Sequence, residues 1–300
     1  MKFLVTGVRG FVAQHLIDVL KSAGHEVFPS MLDQTKVEGL RLPFEINEFD
    51  GVFNLAGKTH PPTSFLFPPE YFAANAIGTI NLVHTMSELN PNAVLMQCST
   101  PEVYGVYPEG TEITEDFPLK PMNPYGVGKA AADLYILERA RNGKLKAFLT
   151  RATSHTGPGR PSNYSISSDA IQIARILNGK QEKKIMVGNL ESMRAVLDVR
   201  DVARGYYMLL LSFLKGKISN GAVFNISYGE PKKMGFYLAT MLKAYNLKAD
   251  IITDPALFRP IDIPYQKLSG EKMCNATGWK PEIPIEKTLT DLVEYWREKV

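Results

Sequence analysis

The first two dozen residues constrain this chain more than any other stretch. An apolar run, Lys2 to Thr6, breaks at Gly7, and a second glycine follows at Gly10. From there to Ser22 the apolar residues Phe11, Val12, Leu16, Val19 and Leu20 recur at helical spacing. A buried strand that turns through glycines into an amphipathic helix opens a layered fold. The alternation continues with strand-like runs at His25–Leu32, Asp50–Ala56 (DGVFNLA), Asn92–Ser99 (NAVLMQCS) and Leu145–Arg151, which closes the series. Helical patterns fall at Tyr71–Leu89 and from about Pro124 to Arg141. Strands this continuously apolar are covered on both faces, so the expectation is an α/β fold with a parallel sheet between helices. One link is irregular. Residues 33–50 leave room for a strand but scarcely for a crossover helix, so one face is expected to be thinly covered there.

After Gly157 the texture changes. Proline, glycine and serine cluster in GPGRPSNYS, which reads as a mobile loop between two domains. Beyond it come a helix (Asp169–Leu177), strands at Lys184–Val187 and Arg194–Val199, a helix from near Arg200 and a last helix from Ile285 towards Lys299. The division expected is residues 1–156, with a returning segment near 190–215, and a smaller mixed α/β C-terminal domain over 157–300. With 45% hydrophobic and 22% charged residues, the chain can bury a core, which excludes disorder. The 34 basic and 31 acidic residues are scattered and leave +3, which excludes a nucleic-acid partner. No apolar run reaches bilayer length, and MKFLVTG passes into glycine without a signal peptide's apolar stretch, so no membrane partner is expected. Cys98 and Cys274 lie far apart with no CxxC spacing, and His25, His60, His84 and His155 have no ligand spacing. No metal is therefore assigned, and a reducing, cytoplasmic setting is expected.

The glycine loop, Thr6-Gly7-Val8-Arg9-Gly10-Phe11-Val12-Ala13, has GxxGxxA spacing. Glycines between a strand and a helix let backbone N–H groups approach a dinucleotide's pyrophosphate, and a small Ala13 allows close helix–sheet packing. A plain strand-to-helix turn would use the same residues. The second strand of such a site ends in an acid for the ribose 2′-hydroxyl. Here that place falls at Met31, with Ser30 before it and Asp33 two beyond. Arg9 can face a 2′-phosphate instead, or stand as a solvated loop charge. The balance favours NADP(H) over NAD(H).

Tyr125 and Lys129 (YGVGK) lie four apart on an expected helix and share a face. A tyrosine acting as general acid needs a neighbouring cation to lower its pKa, and the lysine can supply it. The preceding strand ends in Ser99-Thr100-Pro101-Glu102-Val103-Tyr104-Gly105. Its Thr100 hydroxyl stands where parallel sheets bind ligands, within reach of the oxygen that Tyr125 would protonate.

Together TGxxGF, NLAG (Asn54–Gly57), Asn75 in NAIGT, STPEVYG and PYGVGK resemble, in order and over nearly the whole chain, the extended short-chain dehydrogenase/reductase family. The resemblance implies a doubly wound Rossmann sheet and an oxidoreductase acting on nucleotide sugars. It implies catalysis by Thr100, Tyr125 and Lys129 beside a nicotinamide cofactor, and a structural Asn75. The cofactor contacts implied are Gly7, Arg9, Gly10, Phe11, Val12, Ser30, Leu55, Ala56, Gly57, Ser99, Tyr125, Lys129 and His155. Family members often form homodimers through a helix bundle that includes the tyrosine helix.

Further segments, LKPMNPYGVGK, RATSHTGPG, VGNLESMR, LDVRDV and FRPIDIP, are similar to two branches of the family. One reduces GDP-4-keto-6-deoxy-D-mannose to GDP-D-rhamnose; the other dehydrates GDP-mannose at C4 and C6. This likeness implies substrate contacts from Thr100, Ser154, Asn189, Arg194 and Arg259, the arginines holding the diphosphate. Glu102 stands where the dehydratases carry an acid/base glutamate, or is a carboxylate that supports its turn. Chain length and PMNPYGV favour the reductase. Ser154 replaces an expected asparagine and Ala195 an expected acid, both in the substrate half. A 4-epimerase and a non-catalytic dinucleotide-binding sensor are the remaining alternatives, and an intact Tyr125–Lys129 pair counts against the sensor.

Overall fold

The computed structural model describes residues 1–300. Six parallel strands form its central sheet in the spatial order Ala222–Ile226, Lys146–Ala152, Val94–Cys98, Gly51–Asn54, Lys2–Thr6 and Glu26–Ser30. The chain moves outward from Lys2–Thr6 to Glu26–Ser30, then returns past it to Gly51–Asn54. The strand order therefore reverses between Lys2–Thr6 and Gly51–Asn54, and the carboxyl ends there open a crevice of the kind that binds nucleotides in such sheets.

Each face of the sheet is packed. One carries Leu16, Leu20, Val202, Tyr206 and Leu209, from the helices Phe11–Ser22 and Val199–Leu214. The other carries Phe44, Leu82, Val83, Met86 and Ile136, from helices Val37–Ile46, Gly78–Leu89 and Pro124–Arg141. The expected thin cover over residues 33–50 is therefore corrected. Val37–Ile46 is a ten-residue crossover helix that buries Leu40 and Phe44. Its interior Pro43 discourages a helical reading, since a proline ring clashes with the carbonyl four residues back; that residue here is Gly39.

The sheet does not close at Arg151. Its outer strand is Ala222–Ile226, which pairs with Phe148–Ala152 from well downstream. The buried Trp279 and Met273 also join the first face's core. Helix Pro68–Leu89 contains one wide turn at Ala73–Ile77, where the backbone takes π spacing around Asn75. The second half is built from helices Ser165–Leu177, Met234–Ala244 and Ile285–Arg297, packed through Ile166, Ile173, Tyr237, Met241, Leu289 and Leu292. Short strands join them: Lys184–Val187 pairs with Asp250–Thr253, and Met193–Arg194 with Tyr265–Gln266.

Helix Ser165–Leu177 carries a carboxyl into this packing. Asp169 is 5% exposed, and burial pushes its pKa up to about 7 with no partner to oppose it. A folded-state value above the unfolded 3.8 means the contribution to stability is full below about pH 4 and is lost as pH rises towards 7. At about 1.4 kcal/mol per unit the loss approaches ~4 kcal/mol. Asp169→Asn should thus gain stability over the parent by a few kcal/mol at about pH 8 and by little at about pH 4.5, read by urea unfolding. A parent–variant difference that stays flat across that range would show that Asp169 does not carry the effect.

Candidate active site

The glycine loop lies at the switch point. Gly7 has φ +67°, and a Cβ there would sit 2.7 Å from the backbone nitrogen of Ala56 and 2.8 Å from the carbonyl carbon of Leu55. The two strand ends can come this close only without a side chain. The Ala56 N–H donates to Thr6 Oγ1 (3.1 Å), which donates to Asn54 Oδ1 (2.7 Å), so the contact is also hydrogen-bonded. Helix Phe11–Ser22 follows with Gly10 as its N-cap, no side-chain cap and no acid in its first turn. Its leading N–H groups and positive dipole end remain available to an anion. Phe11 and Val12 form the start of that helix, and Arg9 is exposed with no ion pair to an acid.

No carboxylate stands at the end of Glu26–Ser30. Ser30 is buried, with its hydroxyl on the Leu32 N–H (3.4 Å). Asp33 turns onto Thr35 instead, accepting from its N–H (3.0 Å) and hydroxyl (2.7 Å), and these bonds hold its carboxyl below the usual range. The cradle at Gly7, the uncapped helix end and this missing acid together fit a dinucleotide's phosphates.

Helix Pro124–Arg141 positions the tyrosine and lysine. Pro124 pre-sets its first turn, and Asn123 caps it by accepting from the Gly126 N–H (2.8 Å). Tyr125 and Lys129 are both buried on its inner face. The Lys129 ammonium donates to the carbonyl of Cys98 (2.9 Å), the last residue of its strand. Gly57 has φ +153°, and a Cβ there would sit 2.4 Å from Asn75 Oδ1 and 3.4 Å from Lys129 Nζ. The wide turn at Ala73–Ile77 brings Asn75 to this point, where its Nδ2 donates to the Lys58 carbonyl (3.0 Å). The structure thus gathers Gly57 and Asn75 at the lysine, and Leu55 and Ala56 against the glycine loop.

Thr100 is buried at the mouth of Val94–Cys98, where its Oγ1 accepts from the Glu102 N–H (3.3 Å). Burial pushes the Tyr125 phenol well above its ordinary value, and the neighbouring Thr100 hydroxyl works in the opposite direction. The cation effect expected from Lys129 does not prevail here. With the phenol raised, Tyr125 holds its proton at neutral pH, the form a proton donor needs.

The neighbours of Thr100 are anchored on both sides. Ser99 donates to Asp133 Oδ2 (2.9 Å), which also pairs with Arg151 (3.1 Å); those two side chains are 0% and 2% exposed. Arg151 continues to the hydroxyl of Tyr104 (2.8 Å), which donates to Asn225 (2.8 Å) on the sheet's outer strand. On the other side, Glu102 accepts from Asn123 Nδ2 (2.8 Å), which ties its carboxylate to the cap of the tyrosine helix.

Across the cleft, Asn189, Arg194 and Arg259 converge on Asp262. Asn189 donates to it (3.0 Å), Arg194 pairs with it at 3.5 Å and Arg259 at 4.0 Å. Arg194 is buried and also donates to the carbonyls of Met193 (2.7 Å) and Ile263, whereas Arg259 is more exposed. Ser154 is exposed on the strand Ser154–Thr156. The ring of His155 lies flat against Phe11 (6.2 Å, 7°), with Nδ1 on the Thr153 carbonyl (2.9 Å); burial pushes its pKa down to about 4, so it is neutral.

Reasoning from residues alone passed over Asp133, Arg151 and Asp262 as partners, and Arg160 and Tyr164 in the loop before helix Ser165–Leu177. A carboxylate three residues after Arg259 in FRPIDIP is a visible signal for Asp262; nothing local points to Arg160.

Residues 3–227 match the NAD dependent epimerase/dehydratase family. A GDP-6-deoxy-D-mannose reductase of Pseudomonas aeruginosa is 30% identical over 305 aligned residues, covering 100% of this chain and 98% of that protein. The dTDP-glucose 4,6-dehydratase 1 of Escherichia coli is 26% identical, covering 99% and 92%. Among solved structures, RMD from Pseudomonas aeruginosa complexed with NADPH superposes with a TM-score of 0.92 at 30% identity, over 100% of this chain and 99% of that one. The Thermus thermophilus UDP-glucose 4-epimerase complex with NAD shares the fold, with a TM-score of 0.87 at 23% identity over 100% of both chains.

Proposed function

This chain belongs to the NAD dependent epimerase/dehydratase family, and on that premise we propose that it reduces the C4 ketone of a nucleotide sugar, taking GDP-4-keto-6-deoxy-D-mannose to GDP-D-rhamnose. The observation that carries the reading is that Tyr125 and Thr100 are buried as neighbours at the carboxyl ends of the sheet, where Lys129 ties the tyrosine's helix to the end of Val94–Cys98. The bound dinucleotide supplies the hydride. Tyr125, protonated at neutral pH, gives its proton to the carbonyl oxygen as that oxygen gains charge, and Thr100 donates a hydrogen bond to the same oxygen. Lys129 holds the tyrosine's helix against the strand end and places a fixed cation behind it. Gly7, Gly10, Phe11 and Val12 would receive the dinucleotide's phosphates, with Ser30, Leu55, Ala56, Gly57, Ser99 and His155 lining its path. Arg259 and Arg194, with Asn189 and Ser154, would face the sugar nucleotide's diphosphate.

The cofactor proposed is NADP(H) rather than NAD(H). Supporting it are the missing acid after the second strand, the exposed Arg9 and a structural relative bound to NADPH. A homodimer is part of the reading, supported by exposed Phe72, Ile77, Val127 and Leu134 on helices beside the site. So is a cytoplasmic setting, supported by two unpaired cysteines. No helix is long and apolar enough to cross a membrane.

The test is incubation with GDP-4-keto-6-deoxy-D-mannose and NADPH, or NADH in parallel, following the absorbance of the reduced nicotinamide. Stoichiometric oxidation, faster with NADPH, is expected; no oxidation with either would sink the reading. Glu102 separates the dehydratase alternative. Because its carboxylate is spent on Asn123, Glu102→Gln should leave reduction within a few-fold of the parent. Collapse of C5 proton exchange in that variant, with GDP-mannose as substrate, would instead establish a dehydratase.

A further inference from the structure

The loop Gly157–Tyr164 has the composition of a flexible linker, yet it is fastened at several points. The Arg160 N–H donates to the Gly157 carbonyl (3.1 Å), and Ser167 donates to the Arg160 carbonyl (2.7 Å). His15, on the first helix, bonds the Pro158 carbonyl (2.9 Å). The Tyr164 hydroxyl bonds Thr59 (2.8 Å), and its ring meets His60 edge to face (5.6 Å) just after the third strand. The second half of the chain is thus strapped across the crevice to both walls of the first.

Arg160 is the charge on this strap. Its guanidinium carbon lies 3.5 Å from the centre of the Tyr164 ring and 5.2 Å from that of Phe11. It forms no ion pair, and its guanidinium N–H groups make no hydrogen bond within the protein. Burial pushes its pKa down against the pull of the Tyr164 and Tyr125 hydroxyls, and the charge of Arg259 pushes the same way. The aromatic faces offer a modest attraction but use none of the five N–H donors. A guanidinium fixed in place, partly desolvated and without an anion is suited to receive one. Phe11 is the first residue of the helix whose leading N–H groups are uncapped. The loop's cation therefore stands against the ring of the residue that opens this helix, reached from the other half of the chain.

We propose that Arg160 is a phosphate ligand, carried by the strap onto the diphosphate of the dinucleotide that the glycine loop receives. This rests on the cofactor reading above and extends it. Part of the diphosphate's charge compensation then comes from the substrate half, so cofactor binding joins the two halves.

Arg259 nearby makes the sugar nucleotide's diphosphate the competing source of the anion, and two titrations separate them. NADPH and GDP are titrated separately into the full-length protein by calorimetry, with no keto sugar present. Arg160→Met should weaken NADPH by about 10- to 100-fold, the effect of losing charge-assisted bonds, and leave GDP within about twofold. Arg160→Lys, which keeps the charge but not the fork, should fall between, and NADPH affinity should become less salt-dependent in the Met variant. NADPH affinity within twofold of the parent, or a loss confined to GDP, would overturn the assignment while leaving the cofactor reading standing. Failure of the parent to bind either NADPH or NADH would overturn both. If Arg160→Met unfolds, the Lys variant and the parent's salt dependence still decide.

Discussion

Tyr125→Phe should lower turnover of the keto sugar by about a hundredfold or more, with the fold and NADPH affinity little changed. The ring is buried and keeps its packing in the variant, so only the hydroxyl is lost. That hydroxyl holds its proton through neutral pH because burial raises it more than the neighbouring Thr100 lowers it. Without it the developing alkoxide must draw its proton from water, which the buried position restricts. The measurement is kcat/KM for reduction, alongside NADPH binding. Turnover within a few-fold of the parent would remove Tyr125 from the chemistry. A loss accompanied by equally weakened NADPH binding would make it a binding residue instead.

The largest expected effect on stability is at Arg151. Arg151→Met leaves the Asp133 carboxylate, 0% exposed, with only the Ser99 hydroxyl. Burial already pushes that carboxyl up, and Arg151 is the larger of the two charges, with Lys129, that oppose it. Breaking such a pair from one side should cost about 3–5 kcal/mol, because the remaining charge is stranded. The variant also strands the Tyr104–Asn225 link to the outer strand. Asp133→Leu combined with Arg151→Met removes both charges and should recover much of the loss, as measured by denaturant unfolding. A single-variant cost below about 1 kcal/mol would show that the pair is not what holds the strand ends together. Because Ser99 precedes Thr100, weakened catalysis should accompany the lost stability.

What could be read from the residues divides by distance along the chain. The glycine loop, five of the six strands of the central sheet and the tyrosine helix are local patterns, and each stands within a few residues of its expected place. Val37–Ile46 is hard to see in the sequence because residues 33–50 are short for a crossover and Pro43 lies inside the helix. Ala222–Ile226 has an ordinary strand pattern, but its partner lies some seventy residues earlier, and no local signal specifies that pairing. The pinned loop at Gly157–Tyr164 and the convergence of Arg194 and Arg259 on Asp262 depend on contacts between distant segments. The proposed catalytic residues are legible because they sit in short motifs; their supports are not, because a buried ion pair has no sequence spacing.

The late arrival of Ala222–Ile226 has a consequence for building chimaeras. A block exchange at residue 157, the natural seam by composition, would carry away the outer strand and the Trp279 anchor. Lys146–Ala152 would then become a bare parallel edge, open to strand pairing with other chains. Recombination meant to transplant sugar specificity from a relative must leave residues 199–226 and 271–279 with the recipient and graft only the stretches between and beyond them.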